Sequence, residues 1–319
     1  MLSRTADSLF WLARYVERAD FLARIIKATQ RLATLPASYS GTGTEWESAL
    51  ESSGAAQGFC ATRGAIEEAG VVDYLTFAPD NPSSIRNCLK FARANARAVR
   101  TALTAEMWDA INGAWIELGR FEANSNGSSR YDREELSRFF ELVQKTSLDY
   151  DGSVDRTMLR NDAYWFSRLG IYIERADNTA RILDVKYHVL LPENEAVGGT
   201  LDYFQWTAIL RAVSSLTAYH WVYRESIKPW LIADLLILRK ELPRSLISCY
   251  ENIVSFLDAI GNDYGLSGAS QRQAREVLGR LSSLTTDDIF RTGLHEFITA
   301  FVEDTDRLGQ AINNQYLLH

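Results

Sequence analysis

Apolar residues recur at three- and four-residue spacings along almost the whole chain, the mark of helices with one buried face. The pattern predicts a long helix over 3–33, with Ser3 or Thr5 as its cap and Pro36 beyond its end. Residues 36–58, rich in Ser, Gly and Thr, read as a loop with one short helix around Trp46. A helix follows over 59–77, although "AGVVDYLTF" also fits a strand. "DNPSS" at 80–84 joins polar caps to a proline and predicts the start of a helix reaching about 104. Further helices are expected over 105–120, 132–149, 155–191, 201–221, 229–240, 243–261, 269–283 and 285–315. Pro229 and Pro243 fall where first helical turns would begin. No stretch requires a sheet, and the reading is all-α.

Two runs interrupt this pattern, "EANSNGSSR" at 122–130 and "PENEAVGG" at 192–199, and both read as connectors. A charged decapeptide occurs twice, as "YVERADFLAR" at 15–24 and "YIERADNTAR" at 172–181. Phe21 against Asn178 is the main difference between the copies. The repeat suggests a pseudo-duplicated multi-helix bundle. The chain 1–319 is then one domain with possible half-repeats at 1–121 and 131–319 and a linker near 122–130. Similarity outside the two decapeptides is weak.

Projected at about 100° per residue, Glu17, Asp20 and Arg24 fall within roughly 60° of one another. Tyr15, Ala19, Leu22 and Ile26 lie opposite. Glu17–Asp20 and Asp20–Arg24 are i,i+3 and i,i+4 pairs whose side chains can touch. Glu174, Asp177 and Arg181 repeat the stripe, with Arg18 and Arg175 flanking. One reading is a solvated face laced by ion pairs, each worth only about 0.2–1 kcal/mol. Around the second copy, however, Phe166, Ile171, Ile173 and Val185 bracket the charges. A helix apolar nearly all round is buried, and buried charges must be paired or ligated. The stripe is therefore expected inside, as a closed salt-bridge network or as a polar pocket.

A third stripe bears on that choice. Arg86, Lys90, Arg93, Arg97 and Arg100 share one helical face, with Leu89, Ala92, Ala96, Val99 and Leu103 opposite. The basic face is either solvated or meets the acidic stripes, where its arginines would grip a carboxylate or phosphate in bidentate fashion.

Composition narrows the function classes. The formal net charge of −7 runs against nucleic-acid binding. The three cysteines, Cys60, Cys88 and Cys249, form no CxxC and suggest a reducing, cytoplasmic setting. The most apolar late run, "WLIADLLILRK", is too short to span a membrane. No GxxxxGK[ST] or GxGxxG supplies a nucleotide site, and no cofactor is expected. His188, His220, His295 and His319 lack zinc spacing. Three residues after Glu17 and Glu174 stands Asp, where di-metal bundles place His, so no metal is expected either. "YHWVYRES" at 219–226, with His220 and Arg224 one turn apart, is the one aromatic–basic cluster.

"LSRTADSLFWLARYVERAD", "NPSSIRNCLKFARANARAVR", "MLRNDAYWFSRLGIYIERADNTARILD" and "LRAVSSLTAYHWVYR" together resemble the α-E domain family, helical bacterial proteins named for their Glu-Arg motifs. The resemblance covers nearly the whole chain. Its motif residues carry over to Glu17, Arg18, Glu174 and Arg175, and with them to Arg24, Arg181, Arg93, Asn95 and Arg97. Members are typically encoded beside or fused to a circularly permuted ATP-grasp ligase, often near a transglutaminase-like peptidase. The resemblance thus implies an accessory, binding subunit of a peptide- or amide-forming system. The candidate pocket for an anionic or zwitterionic ligand joins Glu17, Arg18, Asp20, Arg24, Arg93, Asn95, Arg97, Glu174, Arg175, Asp177, Asn178 and Arg181. Two alternatives stand beside it: an enzyme using Glu17 or Glu174 as acid or base, and a salt-bridged interaction scaffold. A homo-oligomer is compatible with each.

Overall fold

The computed structural model describes residues 1–34, 44–124, 132–188 and 199–317, and its described segments are helices without a strand. The first half carries α1 (Ser3–Ala33), α2 (Thr44–Ser52), α3 (Ala56–Thr62), α4 (Glu68–Thr76), α5 (Ile85–Ala98), α6 (Ala105–Asn124) and α7 (Arg133–Thr157). The second carries α8 (Asp162–His188), α9 (Thr200–Ala212), α10 (Leu216–Tyr223), α11 (Pro229–Ala233), α12 (Leu246–Tyr264), α13 (Ala269–Ser283), α14 (Thr286–Thr292) and α15 (Leu294–Tyr316).

The two helices that bear the decapeptides, α1 and α8, pack on each other at the centre. Around α1 lie α5, α7 and α9; around α8 lie α12, α15 and α2. Each central helix therefore takes a short helix from the other half. Gly170 explains how closely the pair can approach. A Cβ there would stand 2.4 Å from the Phe10 carbonyl oxygen and 3.0 Å from the Ala13 Cβ. Leu9, Leu12, Ala13, Val16, Ala19, Leu22 and Ala23 of α1 are buried, as are Leu169, Ile173, Ala176, Ala180 and Leu183 of α8. Burial of this kind, at about 25 cal/mol per Å² of apolar surface, dominates the folding energy.

Several expected boundaries move, each for a local reason. The helix break expected at 150–154 lies instead at 158–161, where the Asn161 side chain accepts from the Ala163 and Tyr164 amides and starts α8. Neither Ser3 nor Thr5 caps α1; the residue before its first turn is Leu2. The helix expected over 59–77 is two, α3 and α4, and the one over 201–221 is broken after α9 by Ser214 in the left-handed region. Gly293, also at positive φ, splits 285–315 into α14 and α15. The helix begun by "DNPSS" stops at Ala98 rather than 104 and passes into a 3₁₀ turn over Arg100–Ala102. Pro229 opens α11 as expected, and a π turn over Asp234–Leu238 follows. Pro243 precedes its helix, which Ser245 caps through the Ser248 amide. The connectors at 122–130 and 192–199 lie, apart from 122–124 and 199, outside the described residues.

Candidate functional site

The two Glu-Arg pairs exchange partners across the α1–α8 contact. Arg18 of α1 binds Glu174 of α8 with two hydrogen bonds, Nε–Oε1 at 2.6 Å and Nη2–Oε2 at 3.1 Å. Arg175 of α8 binds Glu17 of α1 through Nη2–Oε1 at 2.5 Å. Adjacent Glu and Arg on one helix point about 100° apart. Neither arginine can serve the glutamate beside it, so each crosses to the facing helix. The charges are desolvated: Glu17 and Glu174 are each 2% exposed. Removing two ions from water is costly unless geometry and hydrogen bonds compensate, and the bidentate fork provides that compensation for Glu174.

Around Glu174 the partners are Arg18 and Arg14, whose Nε donates to Oε2 at 2.7 Å. Burial pushes the Glu174 carboxyl upward, but the Arg18 and Arg14 guanidiniums outweigh it and hold the carboxyl down to about 2. Arg18 is raised in turn: burial works against its charge, and Glu174 overcomes that. One turn on, Arg181 Nε donates to Asp177 Oδ2 at 2.7 Å. This cluster opens on a cavity of about 240 Å³ lined by Arg18, Ser53, Ser83, Glu174, Asp177 and Arg181, with Phe21, Leu22, Gly54 and Asn178 completing the wall. Phe21 and Asn178, the divergent pair of the repeat, thus share one chamber.

Around Glu17 the arrangement is closed. Arg175 also donates to Asp151 Oδ2 at 2.8 Å, and Arg168 pairs with Asp151 as well. Burial pushes the Asp151 carboxyl up, and the Arg175 and Arg168 charges bring it below its ordinary value. Arg24 Nε donates to Asp20 Oδ2 at 2.7 Å, and its Nη1 donates to the Ala212 carbonyl at 2.9 Å and the Ser214 hydroxyl at 2.8 Å. Arg244 approaches both carboxylates, its Nη2 donating to Asp20 Oδ2 at 3.2 Å and its Nη1 standing 3.9 Å from Glu17 Oε2, which like Asp20 Oδ1 is left without a hydrogen-bond partner among the described residues. Burial, with repulsion from Arg175, lowers the Arg244 pKa despite Glu17 and Asp20. Cys88 and Cys249 sit under the two clusters, and burial pushes both thiols up to about 12, which leaves neither nucleophilic at neutral pH.

Nine of the twelve candidate residues therefore lie along the α1–α8 contact, and three do not. Arg93 Nε donates to the Asn112 side chain at 2.9 Å and its guanidinium covers the Trp115 ring; Asn95 is half-buried on α5 and Arg97 is exposed. The expected meeting of the basic stripe with the acidic stripes does not occur. Leu89, Ala92 and Ala96 are buried and α5 packs on α1, which turns the opposite, cationic face toward α6 and solvent. Arg86 accordingly pairs with Glu122 of α6. The cations come instead from Arg14, Arg168 and Arg244, which sequence reasoning missed along with Asp151. Arg244 carried a readable signal. "PSSIRNC" at 82–88 and "PRSLISC" at 243–249 share Pro, Ser and Cys at the same spacing. The 219–226 run lies apart from the clusters, with Tyr219 buried and Trp221 80% exposed. Among the described residues, no group of His, Cys, Asp and Glu is placed to hold a metal ion, and no helix is long and apolar enough to cross a membrane.

A family model, Alpha-E, described as a predicted alpha-helical domain with a conserved ER motif, matches residues 1–317. Neither a curated protein nor a solved structure matches the chain.

Proposed function

This chain belongs to the Alpha-E family, and from that premise we propose that its Glu-Arg motif builds a ligand pocket in a binding subunit rather than a catalytic centre. The observation that carries the reading is the cavity walled by Arg18, Glu174, Asp177 and Arg181. Ionised side chains around a space of about 240 Å³ suit a small anion or zwitterion, since drug-sized pockets run from about 300 to 1,000 Å³. Glu174 is a poor general base: a carboxylate held at about 2 has little affinity for a proton at neutral pH. Glu17 is 2% exposed and paired to Arg175, out of reach of a substrate in that cavity. The role proposed for the pocket is to hold a small molecule or peptide end for a bond-forming partner. By the family resemblance that partner is a circularly permuted ATP-grasp ligase, with a transglutaminase-like peptidase as a second candidate, in the cytoplasm.

A structural lock is the second reading, and the closed cluster around Glu17 favours it for that half of the contact. Asp177→Asn separates the two for the open half. Native mass spectrometry of the purified protein is expected to show a bound small molecule that the variant loses at unchanged melting temperature. A variant that melts early and a wild type that carries nothing would favour the lock. Turnover by this chain without the ligase would favour an enzyme.

A further inference from the structure

The closed cluster is a template for what the open one receives. The turn before α5 and the turn before α12 share one backbone ladder, 161 residues apart. Asn81, Ser84 and Cys88 amides donate to Ala78, Asn81 and Ser84 carbonyls, and Leu242, Ser245 and Cys249 amides donate to Arg239, Leu242 and Ser245 carbonyls. Ser84 and Ser245 are both side-chain N-caps. Ser83 therefore occupies the position of Arg244. A second ladder relates Gly54 to Ser214. Both are left-handed, and the next amide, Ala55 or Ser215, donates to the carbonyl of Leu50 or Leu210. On the central helices, Asp177–Arg181 repeats Asp20–Arg24 with the same Nε–Oδ2 distance of 2.7 Å. The walls of the two chambers thus correspond apart from Arg14, which donates to Glu174 and has Ile171 as its counterpart on α8. The change that empties the first is Ser83, a hydroxyl, standing where Arg244 delivers a guanidinium between Asp20 and Glu17.

We propose that the open chamber binds a small zwitterion whose cationic end, a guanidinium or primary ammonium, sits between Asp177 and Glu174 as Arg244 sits between Asp20 and Glu17. This rests on the pocket reading above and names the chemistry of its ligand. Charge requires the ligand's second end. Glu174 and Asp177 already face Arg14, Arg18 and Arg181, so a bare cation would add to an excess of positive charge. A carboxylate directed toward the outer guanidiniums of Arg18 and Arg181, 23% and 30% exposed, offsets it. The hydroxyls of Ser53 and Ser83 line the same space and can accept from the cation. An amino acid has both ends and the right size.

Isothermal titration of the full chain with L-arginine, agmatine and succinate tests this. L-arginine is expected to bind one site per chain and to bind more tightly than agmatine, which lacks the carboxylate, and than succinate, which lacks the cation. Ser83→Arg, which places a tethered guanidinium in the chamber, is expected to weaken L-arginine at least about tenfold while the chain keeps its helical circular-dichroism signal. Arg244→Ser is expected to melt early and to recover part of the loss in millimolar methylguanidinium, a rescue that a merely structural arginine in a collapsed site would not show. Succinate binding blocked by Ser83→Arg, with no L-arginine binding, would overturn the cationic assignment and leave the pocket standing. No binding by any probe, or binding indifferent to Ser83→Arg, would overturn both. If Arg244→Ser does not fold, Ser83→Arg decides the matter alone.

Discussion

The surroundings of Glu17 and Glu174 begin from the same residues and end differently. Both glutamates lie in a Glu-Arg-Ala-Asp helix, both are desolvated, and both receive an arginine from the facing helix. Around Glu17 a further shell of Asp151, Arg168 and Arg244 closes the cluster, whereas around Glu174 the shell is Arg14 on one side and a cavity on the other. The motif itself does not decide whether a cavity adjoins it. The surrounding residues differ, with Arg14 and Ser83 on one side and Asp151, Arg168 and Arg244 on the other.

The largest expected effect of a substitution falls on the closed side. Glu17→Gln leaves Arg175, only 8% exposed, facing a neutral group, and unfolding free energy should drop by about 3–5 kcal/mol, measured by denaturant titration. Glu174→Gln should cost less, about 1–3 kcal/mol, because Arg14 and Arg18 still reach water at 16% and 23% exposure. Equal losses at the two sites would erase the distinction between them.

Acid sharpens the comparison next. The Glu174 carboxyl is depressed from 4.5 to about 2 on folding. A depressed carboxylate stabilises fully above its unfolded pKa, and that stabilisation, at most roughly 3 kcal/mol, is lost as pH falls through the folded value. Stability of the wild type should therefore decline between pH 4.5 and 2, with Asp151 contributing in the same direction. Glu174→Gln should flatten that decline. A variant that follows the wild-type acid curve would show that Glu174 is not held by its arginines. The smallest effect is expected at Arg97→Ala, where the side chain is exposed on α5. Stability should stay within about 0.5 kcal/mol of wild type, with ligand binding unchanged. A larger loss would restore the basic stripe to the site.

The helical class, the long α1 and the burial of the decapeptide stripes were legible in the chain. A 3.6-residue apolar period and charges bracketed by Phe166, Ile171, Ile173 and Val185 admit little else. Short-range punctuation was harder: Asn161, Ser214 and Gly293 each end or begin a helix through local geometry that periodicity averages away. The basic stripe of α5 misled because a face rich in arginine is equally consistent with solvent and with an acidic partner, and only the packing of Ala92 and Ala96 inward decides.

What the amino-acid order determined is local. It made two amphipathic helices that must bury Glu, Arg and Asp, and so must find each of them a counter-charge. Which counter-charge, and whether water or a ligand shares the space, was decided by the tertiary arrangement. Arg14 and Arg18 meet Glu174 from about 160 residues away, and Arg244 reaches Asp20 from 224. An ion pair acts over a few ångströms, and a linear chain does not say which residues will stand that close.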